Sequence, residues 1–405
     1  MRTLHVRYHG WGENWLLGTL ADDGAELLFE YSPEALAQNL ELSPRHLKLR
    51  PQAYGGFPDH QHRLPGLIAD ALPDGWGLLL MDRVFRQRGV SPTPLDRLAF
   101  IGDRAVGALS FVPADAEPLP TADLQLLELA RASRQVLAGR ETETLLALVR
   151  TGGSPQGARP KALVQYDPAG KHISTLPDAG GQAWLVKFQA QGEHKEVCAI
   201  ENLYAQLARE CGLEMPATQY FDLDSALAAF GVARFDVDDG KRVPVHTLAG
   251  LLHADIRVAA TDYTTFLRAT RMLTRDEREV QKAFARAVFN VVFNNRDDHA
   301  RNFSYRLGHD RRWRLAPCYD LTFSDGPGGE HRTDVCGEGR RVTRAHLLML
   351  ASQGGIDAAV ATAAIDRVVG QAVRFGELAP EHPIRRATAR RIAGAIDANR
   401  ALLAA

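Results

Sequence analysis

The chain opens on a two-residue rhythm. Leu4, Val6 and Tyr8 alternate with polar neighbours, and runs at 15–20 and 25–31 flank an Asp-Asp-Gly turn, which predicts strands. From 67 to 84 the apolar positions move to helical spacing, interrupted by Pro73-Asp74-Gly75-Trp76-Gly77. Residues 115–123 carry two prolines and read as a linker, with helices expected over 124–138 and 141–150. Short strands are expected at 162–166, 184–188, 219–222 and 229–235. One amphipathic helix interrupts them over 196–211, with Ile200, Leu203, Leu207 and Cys211 on one face. Beyond about 248 the pattern is helical to the end, apart from one hairpin. The expectation is an α+β chain of two lobes with a cleft between them: a strand-rich N-terminal subdomain over 1–113, a second strand-rich unit over 123–240, and a mainly helical C-terminal lobe over 241–405.

Composition narrows the classes. At 405 residues the chain is too long for one small core. A net charge of -1 argues against a protein built mainly to coat nucleic acid or an anionic membrane. Arg385, Arg386, Arg390 and Arg391 form a local basic patch, read as a solvated helix face. Cys198, Cys211, Cys318 and Cys336 show no paired spacing, which disfavours a disulfide framework or zinc site and fits a reducing compartment. No signal-peptide core opens the chain, and no run approaches the roughly 20 apolar residues of a membrane span, so a cytoplasmic location with no membrane partner is expected.

The chemistry concentrates in one block. A helix carrying Val280, Phe284, Val288 and Val291 runs into Asn294-Asn295-Arg296-Asp297-Asp298-His299-Ala300-Arg301-Asn302. A hairpin follows, with Phe303, Tyr305 and Leu307 alternating on one arm and Trp313 and Leu315 on the other, and delivers the chain to Asp320. Phosphoryl transfer needs a carboxylate to orient or deprotonate the attacking hydroxyl, and oxygen ligands to hold Mg²⁺. In protein kinases the catalytic Asp and a metal-binding Asn lie five positions apart, and a second metal-binding Asp comes later. Asp297 and Asn302 have that spacing, and Asp320 follows the hairpin. Singly, each is also an ordinary turn former; the ordered set carries the reading.

Nucleotide-binding candidates lie upstream in the matching order. Lys187 sits among apolar neighbours in a strand, where it either reaches phosphates or faces water from a sheet edge. Glu201 on the amphipathic helix either pairs with Lys187 or faces solvent. The loop 151–161 has three glycines, which suits close approach to phosphates, but it is no Walker motif, and an ordinary loop has the same composition.

Five blocks together resemble the signatures of HipA-like serine/threonine kinases, the toxins of HipBA-like toxin–antitoxin systems. They are Leu72-Pro73-Asp74-Gly75-Trp76-Gly77, Gly157-Ala158-Arg159-Pro160-Lys161, Ala233-Arg234-Phe235-Asp236, Asp297-Asp298-His299-Ala300-Arg301-Asn302 and Ala316-Pro317-Cys318-Tyr319-Asp320. They occur in family order across nearly the whole chain. The resemblance implies a protein-kinase-like fold, ATP and Mg²⁺ as cofactors, Asp297 as catalytic base, and Asn302 and Asp320 as metal ligands. It places Lys187 at the phosphates, with Glu201 its partner, and Gly157, Ala158 and Arg159 in the phosphate loop. It makes the segment with Ala233 and Phe235 the hinge, its backbone facing adenine, and sets Asp236 near the ribose. His299 is then a nucleotide-side residue, or a plain structural histidine.

Ser154 falls where the family has an autophosphorylated serine, whose added charge would favour an ejected loop. The residues that follow it, Pro155-Gln156, and Ala233 in place of an acidic residue depart from the family pattern. Implied partners are a HipB-like helix-turn-helix antitoxin, DNA only through that antitoxin, and a protein substrate such as an aminoacyl-tRNA synthetase. A small-molecule phosphotransferase and a non-catalytic co-repressor module remain the alternatives.

Overall fold

The computed structural model describes residues 2–115, 122–140, 144–152, 155–258 and 261–404. The opening strands are where the alternation puts them. Arg2–Tyr8 pairs antiparallel with Trp15–Asp22 and with Leu109–Val112, and Leu27–Tyr31 and Ala53–Tyr54 complete a five-stranded sheet. Leu4, Val6, Tyr8, Leu17, Leu20, Leu27 and Phe29 fill its buried face. The third strand starts at Leu27 rather than Ala25, because the Asp23 carboxylate takes the amides of Ala25 and Glu26 at 2.9 and 2.8 Å.

Gly75, Trp76 and Gly77, expected to interrupt a helix, instead begin one, Gly75–Gln87, with Asp74 at its N-cap. Its apolar stripe, Trp76, Leu80, Met81 and Val84, faces the core.

The second sheet has the order His172–Ser174, Lys161–Asp167, Gln182–Phe188, Ala228–Ala233, Thr218–Asp222, all antiparallel. Gln182–Phe188 is its central strand, so Lys187 is not on an edge. The strand expected to reach residue 235 ends at Ala233, where the chain turns out of the sheet. Helix Glu196–Glu210 packs on this sheet and buries Ile200, Glu201, Leu203 and Leu207.

The remainder is helical, built around Glu277–Val292, which buries Val280, Phe284, Val288 and Val291. The hairpin Ser304–Leu307 and Trp313–Leu315 gains a third strand, Val245–Thr247, that the sequence pattern does not announce. Beside it the Leu248 amide bonds the Phe303 carbonyl at 2.8 Å, which fixes the loop preceding the hairpin.

One hydrophobic core runs from Leu4 to Leu403 through all three expected units. At the seam, Arg242 donates to the carbonyls of Asp103, Ala105, Gly107 and Leu109, at 3.0, 2.7, 2.7 and 2.7 Å. The basic patch near the C-terminus is only partly a solvated face. Arg385 pairs with Glu196 at 2.5 Å, and Arg391 pairs with Asp325 and lies 5.3 Å over the Phe323 ring. Among the described residues no helix is long and apolar enough to cross a membrane.

Candidate active site

Lys187 stands on the central strand of the second sheet and is 7% exposed. Burying an ammonium is costly unless it is paired. Its Nζ meets Glu201 Oε1 at 2.5 Å and also contacts Asp320 Oδ1. Glu201, on the helix packed behind the sheet, is itself almost wholly buried, so the solvent-facing alternative falls away. Asp320 adopts a left-handed backbone (φ 53°) just after the hairpin. Lys187 takes one of the Asp320 oxygens, yet the Asp320 side chain stays 37% exposed, so the carboxylate is still open to solvent.

The loop after Glu277–Val292 holds Asp297 and Asn302. The Asn302 Nδ2 donates to the Asp297 carbonyl at 2.7 Å, which closes the loop and sets their relative position. The Asp297 side chain is 54% exposed, with Arg332 Nε 3.6 Å away.

Its neighbour Asp298 is the reverse, fully buried and saturated. It accepts from the Tyr263 hydroxyl at 2.6 Å and the Arg332 and Thr333 amides at 2.8 and 3.3 Å, with His331 Nδ1 2.7 Å away. Tyr263 in turn accepts from Asn290, which accepts from Asn295, so a buried polar chain fastens the loop to the helix that precedes it. His299 lies beside Asp297, and its Nδ1 is buried without a hydrogen-bond partner. Burial lowers its pKa despite the nearby Asp297 charge.

The loop at Gly157 packs against the N-terminal subdomain. Gly157 has φ 107°, open to glycine at little cost, and Ala158 is exposed. Arg159 turns to Glu193 at 2.8 Å and Glu201 at 3.5 Å. Burial opposes its charge, and the two carboxylates outweigh that and raise its pKa. Glu201 thus serves both Lys187 and Arg159. Lys161 runs under the loop, its Nζ donating to the Gln156 carbonyl. Burial and the adjacent Lys187 charge push it down to about 7. Ser154 lies outside the described residues.

In the expected hinge, the Ala233 amide bonds the Ala217 carbonyl at 2.9 Å. The Phe235 ring sits 5.5 Å from that of Tyr319, next to Asp320. Asp236 differs from expectation. It is 4% exposed, and both oxygens are engaged, by Arg234 at 2.9 and 2.6 Å and by the Gly107 amide at 2.9 Å. It is a strut between the hinge and the N-terminal subdomain rather than a ribose ligand offered to the cleft, because a carboxylate this buried needs its partners.

Among the described residues no cluster of three or more His, Cys, Asp or Glu could hold a metal by itself. Asn302 and Asp320 fit an ion of the Mg²⁺ kind, which uses one or two protein ligands and completes its shell with water and phosphate. Sequence reasoning missed Asp74, Lys161, Asp298 and His331. Asp74 and Lys161 stood inside the quoted blocks, and Asp298 is adjacent to Asp297. Nothing local marks His331.

The model of the HipA-like C-terminal domain matches residues 153–375, and that of the HipA N-terminal domain matches 9–112. No curated protein matches the chain in sequence. Among solved structures, the fold is similar to a chain of the Shewanella oneidensis MR-1 HipA, HipB and operator DNA complex. The TM-score is 0.71 at 17% identity, covering 98% of this chain and 96% of that one. The Helicobacter pylori proinflammatory kinase CtkA aligns with a TM-score of 0.40 at 10% identity, over 56% of this chain and 89% of its own. The fold is that of the HipA chain of the Shewanella complex, and with its family model matching more than half of its length, the chain belongs to the HipA-like family.

Proposed function

We propose that this chain is a serine/threonine protein kinase acting as the toxin of a toxin–antitoxin pair in the cytoplasm. The observation that carries the reading is buried Lys187 held between Glu201 and Asp320, with the Asp297 side chain exposed on the loop that Asn302 closes. ATP with Mg²⁺ would supply the phosphoryl group and the cation that screens its charge. Lys187 is the cation for the phosphates, fixed by two carboxylates so that little ordering is left to binding. Asn302 and Asp320 are the residues that would hold the metal. Asp297 orients the acceptor hydroxyl and takes its proton, with Arg332 Nε 3.6 Å away. Gly157 and Ala158 cradle the phosphates, and the backbone around Ala233 and Phe235 meets the adenine.

Ser154 is the proposed site of autophosphorylation. The HipB and operator DNA of the Shewanella complex support a HipB-like helix-turn-helix antitoxin as partner, with DNA reached through it. A cellular protein, an aminoacyl-tRNA synthetase being the family's example, is the proposed substrate.

Incubation with radiolabelled ATP and Mg²⁺, beside Asp297→Asn and followed by mass spectrometry, tests this. Label on Ser154 or on a lysate protein is expected from the wild type, with a loss of at least about 100-fold in the variant. ATP binding without transfer to any protein would overturn the protein-kinase reading.

A further inference from the structure

Asp74 sits at the N-cap of helix Gly75–Gln87, where an Asp side chain ordinarily accepts from the helix's own first amides. Here it makes no such bond. Its Oδ1 accepts instead from the Gly157 amide, and its Oδ2 takes Arg301 Nη1 at 2.5 Å. The helix amide at Trp76 is satisfied from outside, by the Gly157 carbonyl at 3.1 Å. Helix and phosphate loop therefore cap each other.

The fit is close. Gly75 has φ 34°, and a Cβ there would lie 2.6 Å from Ala158 Cα. The Trp76 indole bonds the Lys161 carbonyl at 3.2 Å, and the Gln156 amide reaches the Asp70 and Leu72 carbonyls at 3.2 and 3.4 Å.

From this we infer that Asp74 is a positioning residue of the phosphoryl-transfer site, tying the phosphate loop to the catalytic loop from a third part of the chain. The inference rests on the kinase reading above. The phosphate loop carries the donor and the catalytic loop carries Asp297, and transfer requires the two in register. A misplacement of about 1 Å can cost about 10²-fold in rate. Among the described residues Asp74 is the one carboxylate bonded to both loops: one oxygen fixes the loop at Gly157, and the other fixes Arg301, one residue before Asn302. The N-terminal subdomain is then part of the active site and not an appendage.

The test is a double-mutant cycle on ATP binding by calorimetry, with Mg²⁺ present, in full-length Asp74→Asn, Arg301→Gln and the double variant. Asparagine can still accept from Gly157 but loses the ion pair, so each single variant should bind ATP about tenfold more weakly. The double variant should bind no more weakly than the weaker single, with unfolding midpoints close to wild type. Additive losses, or single variants that bind as tightly as wild type, would overturn the role. Hydrogen exchange of the ligand-free protein reads the tie without nucleotide, and Asp74→Ala should speed exchange at 155–159. Faster exchange in a protein whose wild type binds no ATP would sink the kinase reading itself. It would leave Asp74 an interlobe brace, which also overturns its assignment here.

Discussion

Lys161 and Lys187 face each other across paired strands, and their surroundings treat them differently. Lys187 contacts the carboxylates of Glu201 and Asp320, whereas Lys161 donates to the carbonyl of Gln156. Burial, then the Lys187 charge, push the Lys161 amine from 10.5 to about 7. The sign of the consequence follows from proton counting. Between about pH 7 and 10.5 the unfolded chain holds this proton and the folded one does not, so this residue makes stability rise with pH across that window. Below pH 7 both forms hold it and the contribution is flat. Lys161→Met removes the rise. Urea denaturation at pH 7 and 9 should show wild type gaining on the variant by up to about 1.4 kcal/mol per pH unit. An unchanged gap between the two proteins would mean that the amine keeps its proton. The identity of Lys187 as the embedded lysine was readable in sequence from its apolar neighbours. Its central place in the sheet was not, because strand order depends on pairing between distant segments.

At the scale of elements, the loop from 293 to 303 shows how a polar segment can be held without a regular backbone. Asp298 accepts from Tyr263, Arg332 and Thr333, lies against His331, and is wholly buried. Asp298→Ala strands those donors in a dry interior, for which a cost of about 3–5 kcal/mol is expected. Tyr263→Phe removes a single arm and should cost about 1–2 kcal/mol. Denaturant unfolding of both variants checks the ranking, and equal losses would contradict it. Periodicity located the helix before this loop and the hairpin after it, since burial of one face dictates both. It misjudged Gly75-Trp76-Gly77, because glycines that usually break helices are here required by the close passage of Ala158. The strand ending at Ala233 was overextended because Phe235 is apolar but belongs to the contact with Tyr319, not to the sheet.

Across the whole molecule, the three expected units share one core and are pinned at their seam by Arg242 and Asp236. Arg242 meets four carbonyls, and burial brings its pKa down to about 10. Arg242→Ala unpairs the 103–109 segment, and a loss of about 2–4 kcal/mol is expected, with faster proteolysis near that segment. Wild-type cleavage rates would argue that the seam is held elsewhere. By itself, the sequence determined the order of the elements, the five-residue spacing of Asp297 and Asn302, and the later Asp320. These are local patterns, set by the periods of helix and strand and by what one loop can reach. Only the tertiary structure decided which side chains meet across 133 residues at Lys187 and Asp320, or across 227 at Asp74 and Arg301. It also turned Asp236 from an expected ligand into a strut. Such pairings are chosen by how the lobes pack and by the cost of leaving a buried charge alone, and neither is written in the spacing of residues along the chain.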